Sequence, residues 1–324
     1  MKMRMKRLTI VIPFFNEEMV LEQLYNRLER LTKQCSKYRF DFLFVNDGSQ
    51  DQSVPIVLKL KEKDSRIALL DLSRNYGKET AMLAGIDYAK GDALVIIDAD
   101  LQQPPEMIKE MINWWEQGYS DVYAVRKERR GESALKKLTS SLYYKILQKA
   151  SNINIYPHAG DFRLLDRKMI NALKQLREQE RYTKGLYGWV GFKKKELFYD
   201  ADERAGGTTK WRATTLMNLA MNGITSYTTL PLRISAMIGV VVSFVAFIYM
   251  MIVLIQTLLL GASVSGYPSL MIGILFLGGL QLISLGIIGE YLGRVFNETK
   301  NRPLYFVNEY YQGNSSMKEG VVKS

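Results

Sequence analysis

An uninterrupted stretch without ionisable side chains restricts the fold of this chain more than any other feature. From Ile234 to Gly289, 56 consecutive residues include no Asp, Glu, Lys, Arg or His. A helix needs about 20 apolar residues to cross a bilayer. The stretch therefore predicts two transmembrane helices, roughly Ile234–Leu260 and Leu270–Gly289, joined by a turn-rich segment over 261–268. A buried hairpin in a soluble protein is the alternative, but apolar runs of this length are rare in soluble cores.

Basic residues flank both outer ends of the predicted hairpin, namely Arg233, Arg294, Lys300 and Arg302. Positive charge beside both ends predicts that both lie on the cytoplasmic side of a membrane. The apolar run that follows the basic N-terminus is too short for a signal peptide. We therefore predict a multi-pass protein with both termini in the cytoplasm, whose parts are a cytosolic domain over 1–228, a transmembrane hairpin over 229–292 and a C-terminal segment over 293–324 that ends in a disordered tail.

The net charge of +11 indicates an acidic partner. An anionic lipid surface or phosphate ligands fit this charge. Nucleic acid is not predicted as a partner, because the sequence contains no recognition helix and no aromatic stacking sheet. The chain has one histidine and one cysteine, which argues against a zinc site and an intramolecular disulfide.

Before residue 126, short apolar runs alternate with segments of helical periodicity. This pattern predicts right-handed crossovers and a mostly parallel sheet covered on both faces. The predicted strands are Leu8–Pro13, Phe40–Val45, Ile67–Leu72, Ala93–Ile97 and Asp121–Val125, and the predicted helices are Glu18–Thr32, Ser53–Lys63, Lys78–Ala89 and Pro105–Trp115. Two further helices, near 132–150 and 211–227, are predicted to lie on the membrane surface; packing of the first against the sheet is the alternative.

Two carboxylates and an amide follow the fourth predicted strand. Asp98 and Asp100 are two residues apart, so both can point the same way where the strand ends. With Gln102, they supply the oxygen ligands that suit Mg²⁺ or Mn²⁺, and a cation there could hold a diphosphate. A solvated acidic turn is the alternative interpretation of these residues alone.

Two more loops converge on this edge if the sheet is parallel. They are residues 13–17 after the first strand and 46–49 after the second, and the ligands of open α/β sheets gather at the carboxyl ends of strands. No Gly-x-Gly-x-x-Gly follows the first strand, and the chain has no Gly-Lys-Ser/Thr loop. A dinucleotide oxidoreductase and a P-loop ATPase are therefore not predicted.

The strings around these loops resemble the family 2 glycosyltransferases, which have the GT-A fold. The resemblance is carried by Ile10–Glu18, Asn46–Ser49 and Asp98–Pro105. The closer similarity is to polyprenyl-phosphate glycosyltransferases, such as dolichol-phosphate mannose synthase and the bacterial undecaprenyl-phosphate glucosyl- and N-acetylglucosaminyltransferases. Ser73–Glu79, Gly160–Leu165 and the paired apolar segments match the bacterial members. The resemblance implies a Rossmann-like α/β catalytic domain followed by two transmembrane helices, in a bacterial cell membrane.

The resemblance also implies residue roles on the donor side. Pro13, Glu17, Val45 and Asp47 would line the nucleoside pocket, and Ala99 would pack on the nucleotide. Asp98, Asp100 and Gln102 would hold the cation and, through it, the diphosphate, with Asp100 counted among the catalytic residues.

Basic residues supply the remaining implied roles. Arg126 would contact the donor phosphate or sugar, and Arg204 and Lys210 would grip phosphate; these three residues are counted with Asp100 as catalytic. Asp161 and Arg163 are interpreted either as acceptor-side groups or, in preference, as a buried ion pair.

The reaction implied is transfer of a sugar, with inversion, from a nucleoside diphosphate sugar to polyprenyl phosphate, for cell-envelope glycosylation. The resemblance suggests UDP-glucose or UDP-N-acetylglucosamine as donor. A membrane-anchored sugar-nucleotide-binding protein without turnover is one alternative. A processive polysaccharide synthase is another, but the Gln-x-x-Arg-Trp string of those enzymes is absent. Small residues in the second apolar segment would permit close helix packing in a homo-oligomer.

Overall fold

The structure, a computed structural model, describes residues 4–127, 159–179, 181–200, 229–260 and 266–313. These residues form two compact units, one made of the described residues up to 200 together with 303–313, and the other of residues 229–260 and 266–302. The predicted helices near 132–150 and 211–227, Arg204, Lys210 and the predicted tail over 314–324 lie outside the described residues.

An eight-stranded mixed sheet organises the first unit. Its strands are β1 (Arg7–Phe14), β2 (Arg39–Asn46), β3 (Ile67–Leu72), β4 (Ala93–Ile96), β5 (Asp121–Arg126), β6 (Ala159–Asp166), β7 (Lys194–Tyr199) and β8 (Val307–Tyr311), in the order β7-β5-β6-β4-β1-β2-β3-β8. The pairs β1/β2, β1/β4, β2/β3 and β5/β7 are parallel. Strand β6 runs antiparallel to β4 and β5, and β8 runs antiparallel to β3. The predicted α/β class with a mostly parallel sheet is confirmed.

Helices follow the first four strands, as the periodicity predicts, and two further helices that were not predicted lie between β6 and β7. They are α1 (Leu21–Gln34), α2 (Ser53–Lys63), α3 (Lys78–Tyr88), α4 (Ile108–Glu116), α5 (Arg167–Gln175) and α6 (Thr183–Trp189), with a 3₁₀ turn over Pro105–Met107. Helix α1 buries Leu21, Leu24 and Leu28 against the core that the strands form. It begins three residues later than predicted, because the backbone amides of residues 16–18 donate instead to the side chains of Ser49, Ser53 and Asp51.

Two long helices make up the second unit, α7 (Leu230–Leu260) and α8 (Tyr267–Thr299). Within them, Pro231–Val253 and Phe276–Thr299 are long and apolar enough to cross a membrane, on length and composition alone. The hydroxyl of Ser235 donates a hydrogen bond of 2.9 Å to the hydroxyl of Ser284 and thereby links the two helices. The two apolar helices predicted from the sequence are confirmed as elements, and α8 runs about ten residues beyond the predicted end.

Candidate active site

The parallel register brings the ends of three strands to one edge of the sheet. Pro13 lies opposite Val45, and Val11 lies opposite Ile96. The loops after β1, β2 and β4 therefore start side by side. Strands β5 and β7 run in the same direction as β4, because β6 is antiparallel to both β4 and β5. Arg126 and Tyr199, where β5 and β7 end, consequently lie along the same edge.

Reciprocal hydrogen bonds join the loops after β1 and β2. The amide of Asn16 donates to Ser49 Oγ at 2.9 Å, and the amide of Gln50 donates back to Asn16 Oδ1 at 2.8 Å. The amide of Glu17 donates to Ser53 Oγ at 2.9 Å. Asn16 adopts a φ of 55°, in the left-handed region that few residues other than glycine visit. These bonds fix the backbone that carries Glu17, while Pro13 and Val45 are buried beneath it.

Asp47 holds a fourth loop at this edge. Its buried carboxylate accepts hydrogen bonds from the amides of Tyr76 and Gly77, at 2.7 and 3.0 Å. Burial raises the pKa of Asp47, although the two amides and the charge of Arg74 oppose the shift. Each carboxylate oxygen of Asp47 already bonds to backbone. The predicted contact of this residue with a nucleoside would have to use the remaining lone pairs.

Gly48 permits the close approach of this fourth loop. A Cβ at position 48 would lie 2.5 Å from the amide nitrogen of Asn75 and 2.6 Å from the carbonyl carbon of Arg74, and Gly48 has a φ of 72°. The Gly48→Ala substitution should therefore destabilise the protein by about 1–3 kcal/mol, through overpacking and backbone strain. Thermal unfolding of the purified full-length variant measures this loss. The Gly118→Ala variant is the control, because Gly118 has a φ of 85° but nothing within 4 Å of its Cβ position. Equal losses in the two variants would contradict the role of close packing at Gly48.

A lysine joins two carboxylates at the centre of the edge. Lys78 Nζ lies 2.7 Å from Asp98 Oδ1 and 2.8 Å from Asp161 Oδ2. Burial alone would lower the pKa of Lys78, but the negative charges of Asp98 and Asp161 outweigh it and raise the pKa. Asp161 Oδ1 is buried and has no hydrogen-bond partner in the described part of the chain. The ammonium group therefore lies between the two carboxylates and offsets the cost of burying their negative charges.

A neighbouring amide side chain holds Asp98 in place. Gln103 Nε2 donates to Asp98 Oδ2 at 2.7 Å, and the amide of Asp98 donates to Gln103 Oε1 at 2.9 Å. The amide of Gln102 donates to Asp100 Oδ1 at 3.1 Å. Between them, Leu101 adopts a φ of 61° with its side chain buried, as is that of Ala99. Strained backbone of this kind persists where the surroundings determine it, and it often marks functional sites.

Arg126 lies at the end of β5, on the edge of the sheet where β4 also ends. Tyr199 lies beside it in the register of β5 and β7. Burial raises the pKa of Tyr199; the charge of Arg126 lowers it, and the charges of Asp98 and Asp100 raise it. The Tyr199 ring also packs edge-on against Phe162, with ring centroids 6.3 Å apart. Tyr199 therefore feels the charges of both Arg126 and the acidic residues after β4.

Asp161 and Arg163 are both buried and both form ion pairs, but not with each other. Arg163 Nη1 lies 2.9 Å from Asp121 Oδ2, and both side chains are almost fully buried. Asp161 pairs with Lys78 instead. Residues 161 and 163 lie on the same face of β6, which allowed them to be interpreted as a pair. Both do form ion pairs, as the preferred interpretation predicts, but the predicted partners are wrong. Asp121, on the neighbouring strand, is the partner of Arg163 that the sequence did not predict.

Lys78 and Gln103 were also absent from the predicted site residues. Both lie in strings that carry the family resemblance, Ser73–Glu79 and Asp98–Pro105. The direction of β3 could have indicated Lys78. Because β3 is parallel to β2, the loop that follows it reaches the same edge of the sheet as the loops after β1, β2 and β4. Lys78 is the first residue of the helix that follows this loop.

The side chains after β4 offer oxygen ligands that suit a divalent cation, but they would fill only part of its coordination shell. The described residues contain no group of three or more His, Cys, Asp and Glu arranged to hold a metal ion. Mg²⁺ is commonly bound through one or two carboxylates and completed by substrate phosphates and water. Asp98 and Asp100, with the side-chain oxygen of Gln102, match that pattern. The ammonium of Lys78 between Asp98 and Asp161 also indicates that this edge favours positive charge.

Comparison with known proteins gives two family matches. Residues 9–174 match the family described as Glycosyl transferase family 2, and residues 230–295 match the one described as GtrB C-terminal hairpin. An uncharacterized glycosyltransferase of Synechocystis sp. is 47% identical over 94% of this chain and 95% of its own. A prophage bactoprenol glucosyl transferase homolog of Escherichia coli is 42% identical over 93% of this chain and 98% of its own. A bactoprenol glucosyl transferase of Shigella phage SfII is 40% identical over 95% and 99%.

Proposed function

Because the chain belongs to glycosyl transferase family 2, we propose that it transfers glucose from UDP-glucose to a polyprenyl phosphate, with inversion at the anomeric carbon. The observation that carries this proposal is the acidic edge at Asp98 and Asp100, in a chain that also has two helices apolar enough to cross a membrane. The names of the bactoprenol glucosyl transferases, at 40% identity or more over most of this chain, support the sugar and the acceptor class.

The acceptor determines what the protein has to supply. The second pKa of a phosphomonoester is near 6. At cytoplasmic pH the phosphate group of a polyprenyl phosphate is therefore largely dianionic, and no strong base is needed to deprotonate it. Its oxygen attacks C1 of glucose, the bond from C1 to the diphosphate oxygen breaks, and the bonding electrons leave with UDP. The protein has to align two anions that repel each other and to neutralise the charge of the departing diphosphate.

The residues of the site divide this work. Glu17 and Asp47 lie at the ends of β1 and β2, where a nucleoside would bind. Asp98, Asp100 and Gln102 would hold Mg²⁺ or Mn²⁺. Such an ion, when bound, supplies Lewis-acid stabilisation of the diphosphate oxygens. Arg126 would add positive charge on the side of the sugar. Arg204 and Lys210, outside the described residues, stay predicted contacts of phosphate, and either of them or Arg126 would position the attacking acceptor phosphate.

The proposed membrane arrangement follows from the second unit. Large apolar side chains on α7 and α8 are exposed, among them Phe244 at 64% and Leu282 at 71%. Such surface is unfavourable in water and suits a lipid surrounding. Basic residues at both outer ends of the hairpin support a cytoplasmic position for both termini and for the catalytic domain. Single-cysteine labelling of intact spheroplasts, in a variant whose Cys35 is replaced by alanine, tests this topology. A cysteine introduced into residues 261–265 should react from outside the cell, and one near residue 312 should not.

The reaction is tested with the full-length protein in lipid nanodiscs. The assay supplies undecaprenyl phosphate, Mg²⁺ and one labelled donor at a time, namely UDP-glucose, UDP-N-acetylglucosamine or GDP-mannose. We expect labelled glycolipid in the organic phase with UDP-glucose, equimolar release of UDP and a β-linkage by NMR. Glycolipid from UDP-N-acetylglucosamine alone would contradict the proposed sugar. Donor binding without glycolipid formation from any donor would identify a binding protein without turnover.

A further inference from the structure

The ammonium of Lys78 bridges Asp98 and Asp161, at the position where the proposed function requires a metal ion. Lys78 Nζ contacts both oxygens of Asp98, at 2.7 and 2.9 Å, and Asp161 Oδ2 at 2.8 Å. Asp98 is also the first carboxylate of the donor set for the divalent cation. One ammonium therefore occupies the coordinating oxygens that a metal would need.

The remaining contacts of Asp98 come from a neutral group. Gln103 donates to Asp98 Oδ2 at 2.7 Å and accepts from its backbone amide. Gln103 can keep the carboxylate oriented without adding charge. The lysine and the glutamine therefore have different tasks, since only the lysine changes the electrostatic potential that an incoming cation meets.

Lys78 is also placed so that it can move. Its side chain is 46% exposed, while those of Asp98 and Asp161 are 22% and 11% exposed. It is the first residue of α3, directly after Gly77, whose φ is 92°. Among the described residues, no atom apart from the chain neighbours lies within 4 Å of a Cβ position at Gly77. The long, flexible stem of a lysine can leave the two carboxylates by rotation about its own bonds, without movement of the helix.

We propose that Lys78 is a built-in counter-ion that competes with the divalent cation for Asp98, so that metal binding releases its ammonium from the carboxylates. The inference rests on the proposed function for the identity of the cation site. Without metal, the ammonium of Lys78 lies between Asp98 and Asp161 and balances their negative charge. Once displaced from Asp98, the ammonium is available to the phosphates that arrive with the substrates. Lys78 is a positioning residue in this scheme, because it acts through Asp98.

Direct binding of Mn²⁺ tests the competition without requiring turnover. Free Mn²⁺ is measured by EPR in titrations of the full-length protein in nanodiscs, for the unmodified protein and for Lys78→Met, Lys78→Arg and Lys33→Met. Lys33 is the matched control, because it is an exposed lysine paired with a single carboxylate, that of Glu29. Thermal unfolding of each variant establishes that it is folded.

We expect Lys78→Met to bind Mn²⁺ about tenfold more tightly or better, because the ion no longer has to displace an ammonium from both oxygens of Asp98 or to overcome its charge at short range. Lys78→Arg and Lys33→Met should stay within about twofold of the unmodified protein. In the glycolipid assay, Lys78→Met should need less metal for half-maximal rate and yet have a lower kcat. A purely structural role would not tighten metal binding.

The opposite result is equally specific. An unchanged or weaker affinity for Mn²⁺ in folded Lys78→Met would overturn the competition, as would the absence of Mn²⁺ binding by both proteins. If the EPR titration shows the expected gain but no donor yields glycolipid, the proposed function fails and the role of Lys78 stands. Tight Mn²⁺ binding by Lys33→Met as well would assign the gain to net charge rather than to the bridge, and would also overturn the proposal.

Discussion

Replacing Asp98 by asparagine should lower the rate of glycolipid formation by a factor on the order of 10³, the scale seen when a preorganised electrostatic contact is lost at the reacting centre. Asparagine keeps the shape of the side chain and the bond from Gln103 but removes the negative charge. The oxygen ligand for the cation is weakened, and Lys78 is left with Asp161 as its carboxylate partner. The loss should appear in kcat at saturating donor and acceptor.

Two further measurements separate this loss from misfolding. The Glu110→Gln variant, which neutralises an exposed carboxylate on α4, should retain full activity. The Asp98→Asn variant should unfold at nearly the same temperature as the unmodified protein, because Gln103 can still donate to residue 98 and Asp161 still balances the charge of Lys78. Activity of Asp98→Asn within tenfold of the unmodified protein, with metal at saturation, would show that this carboxylate does not hold the cation.

The strands and helices before residue 126 could be predicted because each depends on a local pattern. Apolar runs of strand length gave β1 to β5, and helical periodicity gave α1 to α4, with errors at the ends only. Strands β6, β7 and β8 were not predicted. Strand β8 starts 235 residues after β3 ends, and its pairing satisfies the open edge of β3. The five residues of β8 are too few to show a periodic pattern, and nothing in them indicates a pairing with a strand so distant in the chain.

The candidate site was predictable to the extent that it follows from strand direction. A parallel sheet requires that the loops after β1, β2 and β4 meet, and they do. What could not be predicted is how side chains pair across that edge. Lys78 and Asp161 come from segments 83 residues apart, and the partner of Arg163 depends on the antiparallel pairing of β5 with β6. Electrostatic pairs of this kind are determined by tertiary structure.

The buried pair beneath the site should control stability more than any exposed one. Arg163 Nη1 contacts both oxygens of Asp121, at 2.9 and 3.2 Å, and Nη2 donates to the carbonyl of Gly160 at 2.8 Å. The ring of Tyr187 stacks on the guanidinium, 3.5 Å from its carbon atom. Replacing Arg163 by methionine leaves Asp121 charged and buried, which costs about 3–5 kcal/mol. For a domain of this size, the unfolding temperature should fall by on the order of 10 °C.

A second pair with similar charges supplies the control. Arg27 and Glu106 form an exposed ion pair of 2.8 Å, and breaking it with Arg27→Met should cost less than about 1 kcal/mol. The double variant Arg163→Met/Asp121→Asn should recover part of the loss, because it removes the unpaired charge. An unfolding temperature for Arg163→Met that matches that of Arg27→Met would contradict the importance of the buried pair.

The pH dependence identifies the unpaired carboxylate as the cause. Burial already raises the pKa of Asp121, while the charge of Arg163 opposes that shift. Removal of Arg163 should raise the pKa of Asp121 further above its value in the unfolded chain. A carboxyl whose pKa is raised by folding destabilises the folded state above that pKa and ceases to do so once it is protonated. The stability lost in Arg163→Met should therefore be regained in part as the pH is lowered from 8 towards 5, whereas Arg163→Met/Asp121→Asn should show no such recovery. Parallel pH profiles for the two variants would mean that the loss arises from packing against Tyr187 and not from the charge of Asp121.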